Sequence, residues 1–163
     1  MTAQRAKQGV TFIELIIAVA ILAILASAVI PFAHMTAKRT KELELRRNLR
    51  IIRTALDEYK KAYDKAVEQK KILVTVDASG YPKTLQLLVE GDDFGGLYGT
   101  KRKFLRRIPI DPMNPPKSGE APSWGMRSYA DQPDSTNWGG EDVFDVYSLS
   151  EGVAIDGSNY KSW

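Results

Sequence analysis

Glu14 is the only charged residue between Val10 and Ala33, within the stretch Gln8-Gly9-Val10-Thr11-Phe12-Ile13-Glu14-Leu15-Ile16-Ile17. An ionised carboxylate at the centre of a membrane-inserted helix costs roughly 2.5–3.5 kcal/mol, so a charge kept in such a run needs a partner or a purpose. Catalytic raw material elsewhere is thin. His34 is the one histidine, and it stands just past the apolar run, an interfacial rather than a catalytic place. The chain has no nucleophile elbow, phosphate loop or metal-binding histidine pair. Gly95-Gly96 and Gly139-Gly140 lack the flanking residues of a phosphate cradle and read as turns. Lys101, Arg102, Lys103, Arg106 and Arg107 surround Phe104 and Leu105, a weak nucleic-acid pattern. A solvated face accounts for them better, as does an inter-subunit contact with acids such as Asp92 and Asp93, each such pair contributing little. Neither enzymatic activity nor a nucleic-acid partner is expected.

These residues sit in a chain of 163, enough for one compact domain plus an extra segment. There are no cysteines, which excludes a disulfide framework, a cysteine-based metal site, a lipidated cysteine and a thiol nucleophile. The formal charge of +3 falls to +1 without Arg5 and Lys7, so the basic balance belongs partly to the first nine residues.

The apolar residues crowd the beginning. Leu15 to Ala33 gives nineteen residues without a charge, close to the roughly 20 that span a bilayer as a helix. The basic residues before them predict that the N-terminal side stays cytoplasmic. Beyond Ala33 the chain turns polar with no obvious helix stop. Leu45, Leu49, Ile52, Leu56, Tyr59, Tyr63 and Ala66 follow at alternating steps of four and three, an amphipathic helical stripe. The stripe suits a coiled coil or packing on a sheet, and packing is the preferred reading. A helix from Val10 to about Glu68 is roughly 85–90 Å long at 1.5 Å per residue. The remainder is loop-rich. Ile72 to Val76 reads as a strand or an extended connection. In Gly80-Tyr81-Pro82-Lys83-Thr84-Leu85, Pro82 suits a first helical turn, with Leu85, Leu88 and Val89 as one face of a short helix. The prolines of Ile108-Pro109-Ile110-Asp111-Pro112 exclude a helix interior. Trp124 to Tyr129 and Val143 to Leu149 read as strands, with turn signals at residues 137–142 and 150–152.

Three readings compete for the N-terminus. Ala26-Ser27-Ala28 looks like a secretory cleavage site, but Glu14 would then fall in the apolar core of a signal peptide. A plain signal anchor explains the length and leaves Glu14 without a purpose. Third, Gly9-Val10-Thr11-Phe12-Ile13-Glu14-Leu15 resembles the leader junction of type IV pilins and pseudopilins, usually Gly-Phe-Thr-Leu-Ile-Glu-Leu. Val10 and Phe12 depart from that form, while the diagnostic glycine and glutamate are both present. The resemblance implies cleavage by a prepilin peptidase between Gly9 and Val10, and methylation of the new amine of Val10. It also implies a filament in which Glu14 pairs with the amine of a neighbouring copy, and a helix-loosening role for Pro31.

Farther on, Tyr81-Pro82, Pro109-Ile110-Asp111-Pro112 and Phe144-Asp145-Val146-Tyr147-Ser148 occur in the order found in the G-type major pseudopilins of type II secretion, which this half resembles in scattered pieces. Relatives with an Asp-rich C-terminal loop bind calcium, an ion that takes six to eight oxygen ligands. The ending Ser150-Glu151-Gly152-Val153-Ala154-Ile155-Asp156-Gly157 departs from that loop. Its candidate ligands are Glu151, Asp156 and Asp145, the Ser150 hydroxyl, and carbonyls near Leu149 and Val153. An ordinary Asx-type turn at Asp156-Gly157 is the competing reading.

The expected fold is α+β, a type IV pilin-like lollipop: a long N-terminal helix, half membrane and half amphipathic, packed on a small loop-rich antiparallel sheet. The expected segments are a leader (1–9), a transmembrane and filament-core helix (10–33), a helical spine (34–70) and a small periplasmic head (71–163). The resemblance implies a non-enzymatic subunit of a periplasmic pseudopilus for type II protein secretion, anchored in a bacterial inner membrane. Its partners are copies of itself in a helical filament, the prepilin peptidase, minor pseudopilins and an inner-membrane assembly platform. The rivals are a surface type IV pilin for motility, adhesion or DNA uptake, and a monomeric membrane-anchored binding module using the basic cluster.

Overall fold

In this computed structural model residues 9–73 and 78–163 are described, with residues 28–31 and 33 by backbone alone. Helix α1 spans Phe12–Glu68, 57 residues that include no glycine and one proline, Pro31. Thr11 caps its start: the Thr11 hydroxyl accepts the N–H of Glu14 at 3.3 Å and its carbonyl accepts the N–H of Leu15 at 3.1 Å. Thr-x-x-Glu is the capping-box sequence, and a carboxylate in the first turn also complements the positive end of the helix dipole. At the other end the N–H of Lys71 bonds the Ala66 carbonyl, and that of Lys70 bonds Val67. Lys70 takes the left-handed position at φ 57°. This paired arrangement usually employs glycine, so the stop was not visible in residue types.

The chain divides into two compact units, Met1–Arg39 and Thr40–Trp163. In the second, the predicted stripe faces the core. Leu45, Ile52, Leu56 and Ala66 are completely buried, Leu49 and Tyr59 nearly so, and Tyr63 partly. Burying a leucine-sized side chain contributes roughly 1.5–3 kcal/mol each, so tertiary packing rather than helix propensity holds this half of α1.

Helix α2 is short, Leu85–Glu90, and buries Leu85 and Leu88. It begins beyond Pro82, which does not stand in its first turn as expected. Pro82 is instead fully buried, and its carbonyl accepts the N–H of Val143 at 2.8 Å. After α2, Gly91 adopts φ +83°, and a Cβ there would meet the Arg102 carbonyl at 2.8 Å. The strand or connection expected at Ile72–Val76 falls mostly on residues 74–77, outside the described residues.

Strand β1 is Gly125–Arg127 and β2 is Asp145–Tyr147, paired antiparallel with Met126 opposite Val146. Both lie inside the stretches expected to be strands, and both are shorter. Gly125 is required, because a Cβ would collide with the ring of Tyr147 across the pair. A 3-10 turn at Tyr160–Ser162 ends the chain. The architecture is α+β, with a long N-terminal helix, a short helix and a small antiparallel sheet.

Candidate functional site

The N-terminal segment is built from residues that its own chain leaves uncovered. A Cβ at Gly9 would meet nothing within 4 Å, so internal packing does not require a glycine there. Val10, Phe12, Ile13 and Leu15 are 55–77% exposed, and Ile16, Ile17, Val19, Ile21, Leu22, Ile24 and Leu25 are exposed as well. A helix apolar on every side needs lipid or other protein around it. Glu14 is exposed within this sleeve. Its backbone is satisfied by Thr11, while no partner for its carboxylate is seen among the described residues. The Ser27 hydroxyl donates back to the Ile24 carbonyl at 2.7 Å, which removes one polar demand from the apolar run. α1 continues through Pro31, which has no N–H to offer the turn before it. Among the described residues no helix is long and apolar enough to cross a membrane. The span expected over 10–33 includes 28–31 and 33, whose side chains lie outside the described ones.

The C-terminal candidates are arranged differently from a metal cage. Asp156 Oδ1 accepts from the N–H of Ser158 at 2.9 Å and from its hydroxyl at 2.5 Å, an Asx-type turn, with Gly157 at φ +86°. Asp156 Oδ2 meets Arg46 at 3.2 Å. The Ser158 bonds, then the Arg46 charge, hold this carboxyl below the usual range. Asp145 is gripped from two sides, by Arg53 Nε at 2.7 Å and Arg127 Nη1 at 3.1 Å. Glu151 pairs with Lys161 at 3.2 Å, and the Ser150 hydroxyl accepts from Gly152. Leu149 is exposed, and Val153 bridges to Asn159 across the loop. Each carboxylate of the calcium set thus faces a cation of its own chain. Among the described residues no three acidic or histidine side chains group so as to hold a metal. These residues do not fit a calcium site in this arrangement.

Two carboxylates missed at the level of sequence hold the loop in place. Glu42 is 9% exposed, and its Oε1 accepts from the Ile155 N–H and the Tyr160 hydroxyl, each at 2.9 Å. Burial, with that bond and charge, pushes the Tyr160 hydroxyl up to about 12. The signal was present, since Glu42 precedes Leu45 by three and continues the stripe in phase. Asp111 is fully buried, accepting from Ser148 at 2.6 Å and from the Met113 N–H at 2.8 Å.

The basic cluster is partly spent within the chain. Arg102 donates to Tyr98 at 2.9 Å, reaches Glu58 at 3.5 Å, and pairs its backbone with Asp92. The Asp92 carboxylate accepts from Tyr59 and from the Phe94 N–H, so Asp92 is engaged at home rather than free for another copy. Lys101, Lys103, Arg106 and Arg107 are exposed.

The family model for the prokaryotic N-terminal methylation motif matches residues 4–30. No curated protein and no solved structure matches the chain.

Proposed function

We propose that this chain, type IV pilin-like by its N-terminal methylation motif, is a subunit cut after Gly9, methylated on Val10 and polymerised through its apolar helix. The observation that carries the reading is one carboxylate, Glu14, inside a helix surface exposed and apolar all round. Cleavage creates an amine at Val10, one helical turn from Glu14. In a dry bundle of such helices the carboxylate of one copy meets the amine of the next. Any slipped arrangement strands a charge, so the pair sets registry more than it adds stability.

The finer assignment is to a periplasmic pseudopilus of type II secretion, with the first unit anchored in an inner membrane. The segment Asp142-Val143-Phe144-Asp145-Val146-Tyr147-Ser148 supports this by its likeness to G-type pseudopilins. We take the head to work without a metal, its C-terminal loop being fastened by Arg46, Arg53 and Arg127.

Intact mass and N-terminal sequencing of the protein from membranes of its native host test the reading. A chain that starts at Val10 with one added methyl group is expected. A start at Val29 makes it a secreted protein, and an uncut Met1 a simple anchor. Glu14→Ala is expected to be cut normally and to lose polymer roughly tenfold or more. Normal assembly of that variant would refute the role given to Glu14.

A further inference from the structure

On one flank of the buried stripe, α1 and residues 105–110 border an open groove of about 1030 Å³. Its apolar surface includes Leu43, Ile51 and Ile110, exposed at 63%, 38% and 51%. Its rim is cationic, with Arg47, Arg106 and Arg107. Ile51 and Leu105 also border the adjoining hollow, which adds Arg50, Arg102 and Lys103. Glu44 and Glu58 are the acids lining the two, and Glu58 is already paired with Lys61 and Arg102. The surface is therefore apolar, elongated and net positive.

The same head carries its complement. Residues 128–160 contain seven carboxylates and no lysine or arginine. Asp131, Asp142, Asp145, Glu151 and Asp156 bond within the chain. Asp134 and Glu141 are exposed, before and after Trp138 in the chain, and the same stretch exposes Tyr129 and Phe144 at 63% and 42%. The connection is held in shape. Asp131 accepts the N–H groups of Ser128 and Gly139, Trp138 donates to the Asp142 carbonyl, and Tyr147 donates to the Thr136 carbonyl. A preordered aromatic and acidic loop loses little freedom on docking.

The two surfaces lie on different flanks of α1. At about 100° per residue, the groove-lining Glu44, Asn48, Ile51 and Ala55 share one side of the stripe, and Arg46, Arg53 and Asp57 share the other. Arg46 and Arg53 bind Asp156 and Asp145, and Asp145 directly follows Phe144, which puts that end of the 129–144 loop on the second side. One head can thus offer loop and groove at the same time, and a contact between unlike faces repeats along an open array unless its rotation closes. We propose that the groove of one head receives the 129–144 loop of the next copy. Arginine against exposed aromatics, with Asp134 and Glu141 facing Arg106 and Arg107, supplies recognition. The inference rests on the polymer reading above and adds which surfaces meet.

The chain's lack of cysteine makes the test direct. Ile110→Cys and Thr136→Cys are combined in the full-length protein in its host and treated with a short bis-maleimide. A ladder of multimers is expected from the double variant, and no more than dimers from either single one. Adding Arg106→Glu and Arg107→Glu is expected to cut the ladder roughly tenfold or more, and Asp134→Lys with Glu141→Lys to restore it. Polymers without a ladder overturn this interface and leave the polymer reading standing. Cross-linking of Ile110→Cys to a different polypeptide overturns it as well. A processed chain giving neither polymers nor ladder overturns both.

Discussion

Two carboxylates on α1 show how context assigns a role. Glu14 stands exposed in an apolar sleeve, its backbone N–H accepted by Thr11, and no partner for its carboxylate is seen among the described residues. Glu42 is nearly buried and answered inside the chain, by the Ile155 N–H and the Tyr160 hydroxyl. The Tyr160 contact makes a pH prediction. Its folded pKa of about 12 lies above the ordinary tyrosine value of about 10. The stabilisation is therefore whole below about pH 10 and lost as pH rises through about 12. Tyr59 is shifted the same way, by burial first and then by the Asp92 charge. Thermal unfolding in detergent between pH 7 and 11 is expected to show a smaller alkaline loss for Tyr160→Phe than for the wild type. At neutral pH that variant is about 1 kcal/mol less stable. An identical alkaline slope would remove Tyr160 from this role. Glu42 escaped sequence reading because a carboxylate interrupts an apolar pattern, even though its spacing continues the stripe.

At the scale of elements, α1 carries two different surfaces past Arg39. Leu56 lies on the stripe and is fully buried, so Leu56→Ala leaves a cavity and costs about 2–5 kcal/mol. Ile51 lies on the groove flank at 38% exposure, and Ile51→Ala costs about 0.5 kcal/mol or less. Urea midpoints of the two variants check the contrast, and equal costs would mean that the groove is part of the fold's own core. The stripe was legible because 3.6-residue periodicity is a local property. The ends of the short elements were not. Pro82 suits a helix start by type, but burial claims it and α2 begins at Leu85. The strand stretches shrink to Gly125–Arg127 and Asp145–Tyr147, because the Asp131 and Asp142 carboxylates accept the N–H groups of Ser128 and Tyr129, and the Pro82 carbonyl accepts that of Val143.

For the whole molecule, the loop from Leu149 to Trp163 is fastened by the chain's own cations. Arg46 pairs with Asp156, Arg53 reaches the Trp163 carbonyl at 2.9 Å and Arg127 the Lys161 carbonyl at 3.3 Å, and the last two arginines also pair with Asp145 of β2. Calcium or EDTA is accordingly expected to leave the thermal midpoint unchanged; a rise with calcium would show ligands that these ion pairs conceal. Gly9, the lone Glu14 and the stripe from Leu45 to Ala66 follow from residue type and near spacing, which is why the helix, its unusual apolar half and its methylation motif were legible in the residues alone. The fate of the acidic loop residues depended on partners far along the chain: Arg46 lies 110 positions from Asp156 and Glu42 118 from Tyr160. Only the tertiary structure brought these together, because a carboxylate's choice between a metal, a turn and an arginine is decided by whichever group folding delivers to it.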